Sequence, residues 1–168
     1  MVLRGRVALV TGGARRVGCA IARDLARAGA HVVISYQRSR AEAQTTASEL
    51  RAHGVQSEAI QANVADAADV RRLMGHIRRR FGRLDVLVNN AAVFERTPFA
   101  RLTEHAWDRH LDSNLKGPFL CALAASRLMH RAGGKIINLA DWAGERPYRD
   151  YLPYCVSKAG VIALTKAL

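Results

Sequence analysis

Apolar residues along the chain alternate between short unbroken runs and longer stretches in which they recur every three or four positions. The short runs predict strands at 6–10, 31–36, 58–61, 84–88 and 136–139, the first buried and the fourth covered on both faces. Between them, helical spacing predicts a first helix with an inward stripe of Val17, Ala20, Ile21 and Leu25, ended at Gly29, and a second over about 41–53, ended at Gly54. Asp66 is placed to cap a third helix, whose stripe is Val70, Leu73, Met74, Ile77 and Phe81 and which Gly82 closes. Thr103 is the expected N-cap of a long helical region reaching about 131. Pro118 should bend or interrupt it, because proline lacks the amide donor and clashes with the preceding turn. Gly133 and Gly134 mark the next turn, and a last helical pattern covers 154–168. Strands alternating with helices in this way predict an α/β fold, a parallel sheet with crossover helices.

Length and composition narrow the class. The 168 residues are 49% hydrophobic and 24% charged, enough apolar material for one domain over 1–168 and too much for a disordered tail. No apolar run is long enough to span a bilayer, which predicts a soluble protein with no membrane partner. Cys19, Cys121 and Cys155 are odd in number, widely spaced and set among small or apolar residues. They read as buried hydrophobes in a reducing cytoplasm rather than as a disulfide framework. The histidines show no metal-ligand spacing, and no metal is expected. The formal charge of +12 invites a polyanion-binding role, but of the 26 basic residues all except Lys116, Lys135, Lys158 and Lys166 are arginines scattered along the chain. The one cluster, Arg78 to Arg80, reads as the solvated, basic end of a helix. No nucleic-acid partner is expected.

The chemistry begins directly after the first strand, where TGGARRVG (Thr11 to Gly18) opens into a helix. A dinucleotide site needs glycine at a sharp turn and again where helix and strand pack closely, so that free amides at the helix start meet a pyrophosphate. Gly12 and Gly18 fill those positions, with Arg15, Arg16 and Val17 between them. A free ribose 2′-hydroxyl is met by an acid at the end of the second strand, a 2′-phosphate by arginine. Here that segment reads Tyr36, Gln37, Arg38, Ser39, and Arg15 stands within reach, so NADP(H) is preferred over NAD(H). Near the chain end, Tyr154 and Lys158 are four apart on one helical face. A nearby ammonium favours the phenolate and eases proton exchange, which makes Tyr154 the candidate general acid.

These segments, together with Asn89, Asn90, Ala91 and Ala92 after the fourth strand and Asn114 in NLKG, resemble the short-chain dehydrogenase/reductase family in order and spacing throughout the chain. The resemblance implies a Rossmann-like three-layer fold, a nicotinamide cofactor and hydride transfer. It also implies that Lys158 holds the nicotinamide ribose, that Asn114 fixes a relay water, and that Asn63, Val64, Asn90 and Ala91 line the cofactor site, with Asn63 standing where the family commonly has aspartate. Two departures are informative: Asp141 replaces the serine thirteen positions before the tyrosine, and Arg16 replaces a glycine of the loop. Both resemble the pteridine reductase branch, as does Phe94, which would stack on a pterin. An ionised aspartate only accepts hydrogen bonds, which suits the amino and ring N–H groups of a pterin. The leading expectation is therefore an NADPH-dependent pteridine reductase with Asn114, Asp141, Tyr154 and Lys158 catalytic and Arg16, Phe94, Asp141 and Tyr154 on the small-molecule substrate. A carbonyl reductase of 3-oxoacyl thioesters, sugars or other ketones and a non-catalytic NADP-binding fragment remain open. So do simpler readings in which Asp141 caps the following loop, Phe94 is core and Arg16 is surface. Family members continue with two more strands and a loop over the substrate. The resemblance thus implies missing C-terminal strands, little turnover by 1–168 alone, and a homo-oligomer, usually a tetramer, for the full-length protein.

Overall fold

The computed structural model describes residues 3–129 and 133–168. Its strands are β1 (Val7–Val10), β2 (His31–Tyr36), β3 (Ser57–Gln61), β4 (Val86–Asn89) and β5 (Lys135–Asn138). All pair in parallel in the order β3-β2-β1-β4-β5, with Val10 in register with both Ile34 and Val88. The helices are α1 (Arg16–Arg27), α2 (Arg40–Arg51), α3 (Ala67–Phe81), α4 (Glu104–Leu111), α5 (Gly117–Ser126) and α6 (Leu152–Ala167). Strand residues alternate between two cores, as a sheet covered on both faces requires. Val7, Leu9 and Leu87 pack with Leu73, Ile77 and Ala122 of α3 and α5, whereas Ala8, Val10, Val32 and Ile34 pack with Ala22, Ala26 and Leu50 of α1 and α2. This is the expected three-layer, Rossmann-like arrangement.

Most punctuation follows local chemistry. The Asp66 carboxylate accepts from Ala68 N–H at 2.6 Å and Asp69 N–H at 3.1 Å, and the Thr103 hydroxyl accepts from Ala106 N–H at 3.2 Å. Gly29, Gly54 and Gly82 follow α1, α2 and α3 with positive φ. The cysteines are buried and free, and burial pushes the Cys121 thiol up to about 12.

Three expectations need correction. Of the expected α1 stripe, Ile21 and Leu25 pack against the core beside Gly18, Cys19, Ala22 and Ala26, whereas Val17 is 58% exposed and Ala20 lies outside. At Gly18 the helix lies so close to the β1 turn that no side chain fits beneath it. The long helix after Thr103 is two helices joined by a π turn at Asp112–Lys116, with Pro118 the second residue of α5. Pro118 has no amide hydrogen to return to the Asn114 carbonyl, and the wider turn absorbs the break. The second of the two helices ends at Ser126 with Arg127 as its C-cap, short of the expected end near 131, a position that itself lies outside the described residues. Finally, the run at 84–88 contains a structural carboxylate, and β4 starts only at Val86.

That carboxylate, Asp85, accepts from Val7 N–H at 2.9 Å, Arg6 Nη1 at 2.9 Å and Arg83 Nε at 2.8 Å, clamping the start of β4 to β1. Burial alone would raise its proton affinity, but the hydrogen bonds from Arg83, Val7 and Arg6 outweigh it and hold the carboxyl below the usual range. A depressed carboxylate contributes stability that is fully present above its unfolded-state value and lost as pH falls through the folded one. Asp85→Asn is expected to cost about 1–3 kcal/mol at neutral pH. The gap in melting temperature between parent and variant should close in acid; a gap of constant size down to pH ~3 would mean that the charge is not what matters.

Candidate active site

The chain order of the strands reverses between β1 and β4, and in open parallel sheets the ligand crevice lies at the C-terminal ends of the strands beside that point. The glycine turn lies in it. Gly12 has φ +65°, and a Cβ there would sit 3.0 Å from Ala91 Cα; a Cβ on Gly18 would sit 2.5 Å from Asn90 Nδ2 and run into Gly12 O. Asn90 Nδ2 donates to Thr11 O at 2.8 Å and Gly12 O at 3.1 Å, while Thr11 Oγ1 accepts from Asn90 N–H at 3.0 Å and Ala91 N–H at 3.1 Å. Asn90 and Ala91 thus sew the turn to the end of β4. Thr11 was not singled out by the sequence, although its place between strand and first glycine was the available signal.

Beyond the turn, Arg15 and Arg16 are exposed, and Arg16 takes φ +52°, a left-handed conformation that the loop needs and that arginine tolerates only with strain. At the end of β2, Tyr36 is buried, Arg38 is exposed, and Ser39 precedes α2 without a side-chain capping bond, so its hydroxyl is not spent on the helix. Past β3, Val64 is buried and Asn63 Oδ1 already accepts from Ala65 N–H at 3.1 Å, leaving the Asn63 amide nitrogen as the group with more freedom. No acid follows β2 until Glu42 in α2. The cradle, its exposed arginines and the free serine fit a dinucleotide carrying an extra phosphate.

On the other side of the crevice the four candidate catalytic residues come together. Asp141 follows β5 and Tyr154 and Lys158 lie one turn apart on α6. Tyr154 OH donates to Asp141 Oδ2 at 2.7 Å, and Asp141 Oδ1 accepts from Ala143 N–H at 2.8 Å. Asp141 therefore both caps the short 3-10 turn at Trp142–Gly144 and engages the phenol, so the two readings of it hold together. Lys158 Nζ donates to Leu139 O at 2.6 Å and lies 5.7 Å from the Tyr154 ring centre. Asn114, buried in the π turn, accepts from Val93 N–H at 2.7 Å and donates to Val93 O at 2.9 Å and Ser157 Oγ at 3.0 Å. It locks the loop after β4 to α6.

The electrostatics correct one expectation. Burial first, and then the hydrogen bond and charge of Asp141, push the Tyr154 phenol well above the tyrosine range. The expected lowering by Lys158 does not appear, because burial and the hydrogen bond that the phenol donates to the carboxylate both favour the protonated form, while the ammonium is spent on a carbonyl. Burial lowers Lys158 and Asp141 partly offsets this. The Ala143 amide above all, with the two phenols Tyr154 and Tyr148, holds Asp141 below the carboxylate range despite its desolvation. The site thus keeps Tyr154 protonated beside an ionised acceptor.

Phe94 is not core. It is 57% exposed, stacked on Tyr151 at 4.7 Å and edge-on to Tyr154 at 4.6 Å, an aromatic wall beside the phenol. Tyr151 and Tyr148 were missed by the sequence reading, since an aromatic residue in a loop carries no periodic signal.

A family model described as short chain dehydrogenase matches residues 6–168. The chain is 42% identical over 161 residues to the 3-oxoacyl-(acyl-carrier-protein) reductase FabG of Staphylococcus aureus, an alignment covering 95% of this chain and 65% of that protein. It thus spans less than two thirds of the length of that curated relative. It is 41% identical over 167 residues to the 3-oxoacyl-(acyl-carrier-protein) reductase of Synechocystis, covering 99% of this chain and 68% of the other. A crystal structure of a short chain dehydrogenase from Burkholderia cenocepacia in complex with NADP superposes with a TM-score of 0.95 at 36% identity, covering 99% of this chain and 68% of that one. On the match over nearly its whole length, the chain belongs to the short-chain dehydrogenase family.

Proposed function

We propose that this chain forms the nucleotide-binding and catalytic part of an NADP(H)-dependent reductase in which Tyr154 delivers the proton. The observation that carries the reading is a phenol kept protonated first by its burial and then by its hydrogen bond to a carboxylate, one turn from a lysine, across the crevice from a glycine cradle. NADPH, when bound, supplies the hydride. Gly12, Val17 and Gly18 would admit the pyrophosphate against the α1 amides, while Arg15, Arg16, Arg38 and Ser39 would hold the phosphorylated ribose and Tyr36, Asn63 and Val64 the adenine side. Asn90 and Ala91 hold the turn in shape. Lys158 orients the second ribose. Asn114, whose carbonyl lacks its usual i+4 donor because Pro118 has none, serves a relay water. The NADP-bound neighbour and the absence of an acid at the end of β2 support the phosphorylated cofactor.

For the substrate, the named relatives favour a carbonyl compound of the 3-oxoacyl kind. Tyr154 would then protonate the oxygen as hydride reaches carbon. The second reading, a pteridine, is favoured by one observation: Asp141 offers an acceptor where a ketone needs a donor, beside the exposed ring of Phe94. The full-length protein assayed with NADPH against 3-oxoacyl thioesters, other ketones, dihydropterins and dihydrofolates separates them. Asp141→Ser should retain ketone reduction if the first holds, because a serine oxygen can still accept from Tyr154 and its hydroxyl adds a donor, and lower pterin reduction at least ~10-fold if the second does. Single-turnover oxidation of NADPH tests catalysis itself, since a binding module would retain the cofactor unchanged. A cytoplasmic homo-oligomer, consistent with the exposed Phe119 and Leu123 of α5, is part of the same proposal. None of the described helices is long and apolar enough to cross a membrane, and no cluster of three or more potential metal ligands occurs among the described residues.

A further inference from the structure

We propose that Tyr148 is a positioning residue for the catalytic site: its phenol clamps the Asp141 carboxylate so that one oxygen remains aimed at Tyr154. The two carboxylate oxygens have separate partners. Oδ1 accepts from Ala143 N–H at 2.8 Å and Tyr148 OH at 3.2 Å, and Oδ2 accepts from Tyr154 OH at 2.7 Å. Capping the 3-10 turn needs only the Ala143 bond, so the second donor on Oδ1 is surplus to the local fold. Its effect is on rotation. With one donor on Oδ1 the carboxylate can more easily swing about its side-chain bonds and take Oδ2 away from the phenol; the second donor opposes that swing.

Tyr148 is itself held in place. Its backbone N–H donates to Cys155 Sγ at 3.3 Å, and its ring meets Tyr151 edge-on at 6.3 Å, while Tyr151 stacks on Phe94. The loop between β5 and α6 is thereby tied to the residue next to Tyr154 and to the aromatic wall. Tyr148 is 41% exposed, against 6% for Tyr154, so a residue at the mouth of the crevice controls an acceptor deeper inside. The groups facing Asp141 are Tyr148 from the loop and Tyr154 and Lys158 from α6; Arg146, on the same loop, lies over Trp142 instead. Since Tyr148 donates to the ionised carboxylate, it also favours that form.

The inference rests on the reading of Tyr154 as proton donor, and its test separates the two. Tyr148→Phe in the full-length protein removes one hydroxyl from a half-exposed ring and keeps the packing on Tyr151. In the cofactor-free protein, the Asp141 carboxyl signal, followed by carbon-13 NMR and assigned against Asp141→Asn, should titrate at higher pH in Tyr148→Phe than in the parent. With NADPH and substrate, kcat should fall about 3–10-fold while KM for NADPH stays unchanged, the loss of one hydrogen bond to a charged group acting through orientation rather than binding. Superimposable titration curves would overturn the clamp whatever the turnover numbers. An unchanged kcat alongside a moved titration would overturn its link to catalysis. If Tyr154→Phe itself retains full turnover, the proton-donor reading fails, while the NMR titration still judges the clamp.

Discussion

Tyr154→Phe is expected to lower kcat by about two to four orders of magnitude, the usual worth of a positioned general acid, with little change in affinity for NADPH. The change removes one oxygen, at the point where burial and the Asp141 carboxylate hold a proton ready. It leaves the edge-on packing of the ring against Phe94 intact, so a folding defect is not the cause. Rapid mixing of enzyme, NADPH and substrate would show the defect in the chemical step. Equal single-turnover rates in parent and variant would mean that water supplies the proton. The raised proton affinity of Tyr154 adds a sign that can be checked. A phenol above the tyrosine range stays protonated through neutral and moderately alkaline pH, so reduction should show no alkaline loss from Tyr154 below pH ~10. Had the ammonium of Lys158 dominated, the loss would begin at lower pH.

Gly18→Ala is the second large effect, on architecture rather than on a proton. A methyl group at this position stands 2.5 Å from Asn90 Nδ2 and overlaps Gly12 O, and neither can withdraw freely. The amide is committed to Thr11 O and Gly12 O, and the carbonyl belongs to a left-handed turn. Helix α1 must therefore move away from the strand. The expected cost is about 1–3 kcal/mol of stability, together with a larger loss of dinucleotide affinity because the α1 amides leave their place. Thermal melting and a fluorescence titration with NADPH measure the two. Gly75→Ala in α3 is the control: its Cβ would meet only Arg79 Nη1 at 3.5 Å, and a mid-helix glycine replaced by alanine gains about 0.5–1 kcal/mol. If both variants melt like the parent, close packing at the turn is not what the glycine provides.

The strongest readings from the sequence were those in which a local rule and a long-range requirement coincide. The central strands β1, β2 and β4 are visible because burial on both faces demands nearly unbroken apolar runs, and the cradle is visible because Gly12 and Gly18 are needed both by the turn and by its neighbours. Tyr154 and Lys158 could be paired by helix periodicity alone. The α1 stripe held at Ile21 and Leu25, which pack against the core, and failed at Val17 and Ala20 for the opposite reason: the space beneath the start of the helix is set by β1 and β4, and it admits Gly18 and Cys19 instead. Asp85 was hidden in an apolar run because, besides the nearby Arg83, its partners Arg6 and Val7 lie nearly eighty residues away.

The catalytic group divides along the same line. The residue types and their order are properties of the linear chain: a carboxylate thirteen positions before a phenol, and a lysine four beyond it. Which group governs the phenol is not, because the strength of an interaction depends on distance and direction that only the folded chain sets. Folding puts the Asp141 oxygen on the Tyr154 hydroxyl and turns the Lys158 ammonium to the Leu139 carbonyl, reversing the expected influence on the proton. It also brings Tyr148 and Tyr151 from an aperiodic loop to the carboxylate and the aromatic wall. Periodicity reports what is repeated along the chain, whereas these contacts occur once, across it.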